Sequence, residues 1–162
     1  MNTADPVLLT KEARMFRARF QTVVLSTATH EGVPDTGTAP FILDSQERIC
    51  VLLSELATHT RNLMENPQAC LAFLESEEEC RNLFARKRLI LHCSAKRLQS
   101  TERETTLDSM EERLGNTVGL LRSLGDFHLF AFQVDAGSYI RGFGQAWEIQ
   151  DSRLQIGRLR SQ

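Results

Sequence analysis

The four cysteines, Cys50, Cys70, Cys80 and Cys93, form no CxxC pair, and no histidine stands at a spacing that would complete a zinc site with them. A zinc module is thereby excluded, and the thiols are expected to be free and mostly buried. No apolar run reaches the ~20 residues that a membrane helix needs, and MNTADPVLLTKEAR has no basic stretch followed by a long apolar one. A cytoplasmic protein without a membrane partner is the expectation. Neither sign of charge dominates, because 19 basic against 21 acidic residues leave a formal −2, so nothing points to nucleic acid. HExxH, a Ser/His/Asp ordering and paired catalytic carboxylates are missing, which removes support for a hydrolase. Glycine is scarce, with 9 residues, yet Gly137, Gly142 and Gly144 crowd into GSYIRGFGQAWEIQ. This is no dinucleotide fingerprint, since Trp147 stands where the third glycine belongs and no helix begins there.

What is present fits one domain, residues 1–162, with an N-terminal helix within 1–20 and a polar C-terminal tail over 150–162. Thr10 is placed as the cap of TKEARMFRARF, whose Ala13, Phe16 and Phe20 form one stripe. TVVLSTATHEGVPDTGTAPFILD and RICVLL predict three strands of a meander with a turn at HEGVPD. ATHTRNLMENP predicts a short helix ending before Pro67, and ACLAFLE a strand. A capping box, Ser76 with Glu79, predicts a short helix in SEEECRNLFARK. RLILHCSAKRL predicts a strand, and Thr101 with Glu104 a second capping box, opening a helix striped by Leu107, Met110 and Leu114. NTVGLLRSLG predicts a further helix ending at Gly125. FHLFAFQVD and SYIRGFGQAWEI predict two closing strands joined by AGS, the second with Tyr139, Phe143, Trp147 and Ile149 inward and a low face of Gly142, Gly144 and Ala146. Short strands without β-α-β alternation predict a mainly β protein, an antiparallel barrel with peripheral helices.

Chemistry concentrates in two places. In THTRNL, helix-start N–H groups beside Thr58, His59, Thr60 and Arg61 would suit a phosphate or carboxylate, although threonines cap helices equally well without a ligand. FARKRL brings Arg86, Lys87 and Arg88 together; Arg86 and Arg88 point the same way on a strand and could grip an anion, or be answered by the glutamates of ESEEE. His30 is expected exposed in a turn, and His92 and His128 to be satisfied structural residues.

Together these segments resemble the flavin-binding split-barrel superfamily of pyridoxamine 5'-phosphate oxidase, and NLFARKRL with GFGQA resembles its HugZ-type heme-utilisation group. The resemblance implies a six-stranded antiparallel FMN-binding split barrel that forms a homodimer with cofactor sites at the interface. It makes Thr58, His59, Thr60 and Arg61 the grip on the FMN phosphate, Thr38, Ala39, Pro40 and Phe41 the strand along the ring, and Arg86 and Arg88 basic groups at the cofactor mouth. A flavin oxidoreductase with a small-molecule substrate is the first function implied. The alternative is a heme-binding or heme-degrading protein, with propionates on Arg86 and Arg88 and the macrocycle against Gly142 and Gly144. Heme-degrading members ligate iron through a C-terminal histidine; this sequence has none after His128, so either another group holds heme, with His59 the first candidate iron ligand, or the protein does not degrade heme and keeps only the barrel. A cofactor-free dimeric binding module is the third reading.

Overall fold

The computed structural model describes residues 5–160; positions 1–4 of the expected N-terminal helix segment and 161–162 of the tail lie outside it. The elements are α1 (Pro6–Arg17), β1 (Thr22–Ala28), β2 (Pro34–Leu43), β3 (Ile49–Ser54), α2 (Thr58–Glu65), β4 (Gln68–Leu74), β5 (Arg88–Arg97), α3 (Ser100–Leu114), α4 (Asn116–Arg122), β6 (Phe127–Gly142), β7 (Gln145–Ile149) and β8 (Ile156–Leu159). The strands pair antiparallel in the order β3-β2-β1-β4-β5-β6-β7-β8. β3 also pairs with β6, from Ile49↔Phe132 to Ser54↔Phe127, which closes six strands into the expected barrel and leaves β7 and β8 as an extension.

Alternation along the strands fills the lumen. Val23 and Leu25 of β1, Leu71 and Phe73 of β4, and Leu89 and Leu91 of β5 are buried, while Val24, Ala72 and Ile90 between them face outward and are half-buried. Phe16, Phe20, Phe73 and Phe41 form a chain of ring contacts with centroids 5.1–5.4 Å apart, so α1 covers this end of the barrel. A second apolar cluster lies outside the barrel, where Leu107 and Met110 of α3 and Val118 of α4 cover Ile42, Cys50, Leu129 and Ala131. Each such fully buried side chain stabilises the fold by about 1.5–3 kcal/mol.

Several local expectations are corrected. The cap of α1 is Asp5, whose Oδ1 accepts from Val7 N at 2.9 Å, with Pro6 preset for the first turn; Thr10 lies inside the helix and accepts from Ile156 N at 3.1 Å. SEEECRNLFARK forms turns and a single 3-10 turn at Leu83–Ala85 rather than an α-helix, and Leu83 and Phe84 are exposed. Thr101 lies within α3, which starts without a side-chain cap, and α4 stops at Arg122, short of Gly125. AGS is not a turn: β6 runs through it with a bulge at Asp135, since Val134 faces Cys93 and Ala136 faces His92. The reversal comes at Phe143 and Gly144, between Gly142 and Gln145, with Gly144 at φ 65. Tyr139, Trp147 and Ile149 point inward as expected, whereas Phe143, at the hairpin tip, is 67% exposed. The tail is ordered as β8 on the edge of β7, with Leu154 and Ile156 buried and Ser152 Oγ accepting from Val134 N at 3.0 Å.

Glu12 ties α1 to β6. It accepts from Tyr139 Oη at 2.8 Å and Arg141 Nη1 at 2.9 Å, and Lys87 lies 3.5 Å away. Partial burial pushes the Glu12 carboxyl up, but the hydrogen bonds from Tyr139 and Arg141 and the nearby cations outweigh it and hold the carboxyl below its ordinary value of 4.5. The depressed native value means that this stability is present above about pH 4.5 and is lost as pH falls through it. The gap in urea midpoint between the wild type and Glu12→Gln should therefore be constant above pH 5 and shrink towards pH 3. A gap that does not change with pH would refute the assignment.

Candidate functional site

α2 packs on β1 and β2 at the barrel end remote from α1: Asn62 Nδ2 donates to Thr27 Oγ1 at 3.1 Å, and His59 lies over Gly37. Gly37 makes this approach possible, because a Cβ there would come within 2.7 Å of His59 Nδ1. His59 is half-buried; burial lowers the basicity of its imidazole, and Asp35 offsets this only in part. The ring is therefore neutral at neutral pH. Thr60 is fully buried, and its Oγ1 has no hydrogen-bond partner. Thr58 is exposed. Arg61 turns back onto its own loop, with Nη1 donating to Glu55 O and Leu56 O, each at 3.1 Å, and Nη2 lying 3.4 Å from Thr58 Oγ1. The four residues thus stand at one helix start but face differently, with Thr58 exposed, His59 half-buried, Thr60 buried and Arg61 engaged within the chain.

In β2, Thr38 and Pro40 face outward, whereas Ala39 and Phe41 point into the barrel core. Arg86 donates through Nε to Glu75 O and pairs with Glu77 at 3.5 Å; Arg88 Nη1 donates to Arg86 O at 2.8 Å. Arg88 pairs in register with Ile140 and Ile140 with Ala146, so the Arg86/Arg88 group lies towards the Gly142 and Gly144 hairpin. A Cβ at Gly142 or Gly144 would meet nothing within 4 Å, so the low strand face expected there is instead an open hairpin tip. Within one protomer this group is separated from β2 by β1 and β4.

The outer barrel face holds residues that the sequence reading did not assemble. His92, expected to be satisfied, is exposed and directly opposite Cys70, which in turn is opposite Ser26, whose Oγ lies 3.1 Å from Thr36 Oγ1. Alternation alone places His92 on the face of Arg88 and Ile90; its neighbours depend on cross-strand register. Burial raises the Cys70 thiol, which stays protonated at neutral pH. Cys50 and Cys93 are buried, Cys70 and Cys80 half-buried, and all four are free. His128 is a satisfied residue, buried with Nε2 against Glu55. His30 is exposed in the β1–β2 turn. Among the described residues no helix is long and apolar enough to cross a membrane.

This geometry has relatives. The chain is 38% identical over 151 residues to heme oxygenase HutZ of Vibrio cholerae, a match covering 90% of this chain and 84% of HutZ. The crystal structure of HutZ, the heme storage protein from Vibrio cholerae, superposes with a TM-score of 0.70 at 35% identity, over 76% of this chain and 88% of that one. The crystal structure of Campylobacter jejuni ChuZ superposes with a TM-score of 0.79 at 28% identity, over 96% of this chain and 66% of ChuZ. The family model of pyridoxamine 5'-phosphate oxidase matches residues 9–141, and with the closed six-stranded barrel this establishes that the chain belongs to the pyridoxamine 5'-phosphate oxidase family.

Proposed function

We propose that this protein binds heme and serves in heme utilisation as a homodimer, with heme degradation as its activity. The observation that carries the reading is the 38% identity, along nearly the whole chain, to a protein named heme oxygenase. The residues fit such a group. His59 offers a neutral imidazole, the form that ligates iron, and beside it Thr60 Oγ1 is a buried hydroxyl still short of a partner. Arg86 and Arg88 supply cations for propionates. When bound, heme supplies the redox chemistry of its iron; the protein's part is to orient it and keep water from it. The flavin reading has less support, because a phosphate dianion on the α2 start would draw on Arg61, whose Nη1 is bonded to Glu55 O and Leu56 O, and on a His59 whose basicity burial lowers.

The second copy follows from two features. The outward row of Val24, Ala72 and Ile90 is apolar and only half-buried. In addition, β1 and β4 stand between the strand of the cationic group and β2 within one chain, and a second copy could bring that group to the α2 start. Hemin titrated into the protein should give a saturable Soret band at one heme per chain, while FMN at the same concentrations keeps its free fluorescence. His59→Ala should weaken hemin binding at least tenfold and His92→Ala should not, and Ile90→Lys should convert a two-chain species into one in sedimentation. Full flavin quenching without a Soret change would return the protein to the flavin reading.

A further inference from the structure

A cleft of about 860 Å³ lies between α1, the end of β2 and the last turn of α3, and none of its lining residues belongs to the α2 start or to the Arg86/Arg88 group. Its lining carries four cations, Lys11, Arg14, Arg17 and Arg113, and no carboxylate, in a chain whose acids outnumber its bases. Among the described residues, Lys11 and Arg113 have no ion-pair partner, and Glu47 alone answers the other two, bonded to Arg14 and 3.5 Å from Arg17. Arg17 is only 2% exposed. Its Nη1 donates to Ser152 O at 3.1 Å, but its Nε has no partner. A buried guanidinium with a spare donor is stabilised by any oxygen acceptor that reaches it. Apart from Thr10 and Gln21 the rest of the lining is apolar and includes Phe41, Ile42 and Leu114, and the volume falls in the range of small-molecule sites.

We infer that this cleft binds an amphipathic monocarboxylate of the fatty-acid type, with its carboxylate among Arg14, Arg17 and Arg113 and its aliphatic chain over Phe41, Ile42 and Leu114. The lining decides the class. Inorganic phosphate would leave the apolar wall wet, and an uncharged hydrocarbon would leave the cations unanswered. The site shares no residue with the proposed heme site, so each assignment stands or falls independently.

Calorimetric titration of the full-length protein with decanoate, and separately with decanol, tests this. The expected result is one decanoate per chain, bound at least tenfold more tightly than decanol. Arg113→Glu and Lys11→Glu, both on helix surfaces, should each weaken decanoate about tenfold while leaving the hemin titration unchanged. Arg17→Met should abolish decanoate binding; since a buried arginine can also matter for folding, Arg113→Glu is the deciding variant. Equal affinity for decanoate and decanol overturns the inference, as does no binding at millimolar decanoate. Loss of self-association in Arg113→Glu without decanoate binding by the wild type would show that the cleft is an interface between copies instead.

Discussion

Gly137→Val should destabilise the protein by about 3 kcal/mol or more, enough to leave a large fraction unfolded near physiological temperature. A Cβ at this position would stand 2.5 Å from Ile90 O, 3.1 Å from Leu91 Cδ2 and 3.2 Å from Ile149 Cβ. The first of these is backbone and cannot rotate away, so β5 and β6 would have to part where they pair Leu91 with Gly137. The two glycines of the hairpin provide the control. Gly142→Ala should stay within about 0.5 kcal/mol, and Gly144→Ala should cost about 1 kcal/mol for its left-handed backbone at φ 65, because a Cβ at either place meets open space. Urea unfolding of the three variants checks the ranking. If Gly144→Ala proved the most damaging, the close-packing account of Gly137 would be lost.

Arg48→Met should cost about 3 kcal/mol, because it strips the partner from a buried carboxylate. Arg48 is 7% exposed and donates through Nε to Asp44 Oδ2 at 2.7 Å and through Nη2 to Glu102 Oε1 at 2.6 Å, so one guanidinium joins the β2–β3 turn to the first turn of α3. The Asp44 side chain is only 8% exposed and would retain the backbone donors of Gln46 and Arg48, each at 2.9 Å, but no cation. Arg48→Lys should recover part of the loss, since an ammonium cannot span both carboxylates in the same planar geometry. Urea midpoints decide, and a loss under 1 kcal/mol for Arg48→Met would mean that solvent screens the pair despite its burial.

Much of the architecture was legible beforehand where its cause is local. β-rich runs bounded by turn residues marked β1 to β5, the stripe of Leu107, Met110 and Leu114 marked α3, and Pro67 bounded α2. The helix-start group Thr58 to Arg61 was visible for the same reason, because four adjacent residues at one helix end need no tertiary information to be brought together. The failures share a cause as well. AGS carries ordinary turn residues, yet β6 continues through it because Ser138 and Tyr139 have partners on both sides, Ile90 and Leu89 on β5 and Glu148 and Trp147 on β7. DSRLQIGRLRSQ has little pattern, yet it forms β8 because the open edge of β7 offers unpaired backbone groups.

The sequence by itself therefore determined a mainly β domain with an antiparallel barrel and peripheral helices, and the residue types able to hold an anion or an iron, since β-rich runs, turn residues and helical stripes act over a few residues. Only the tertiary structure decided where the chain reverses at Phe143 and Gly144, that Arg61 is engaged with Glu55 O and Leu56 O, that His92 is exposed opposite Cys70, and that Lys11, Arg14, Arg17 and Arg113 line one cleft. Those facts depend on strand register and on contacts between segments as much as ~100 residues apart, which barrel closure sets and no local pattern encodes.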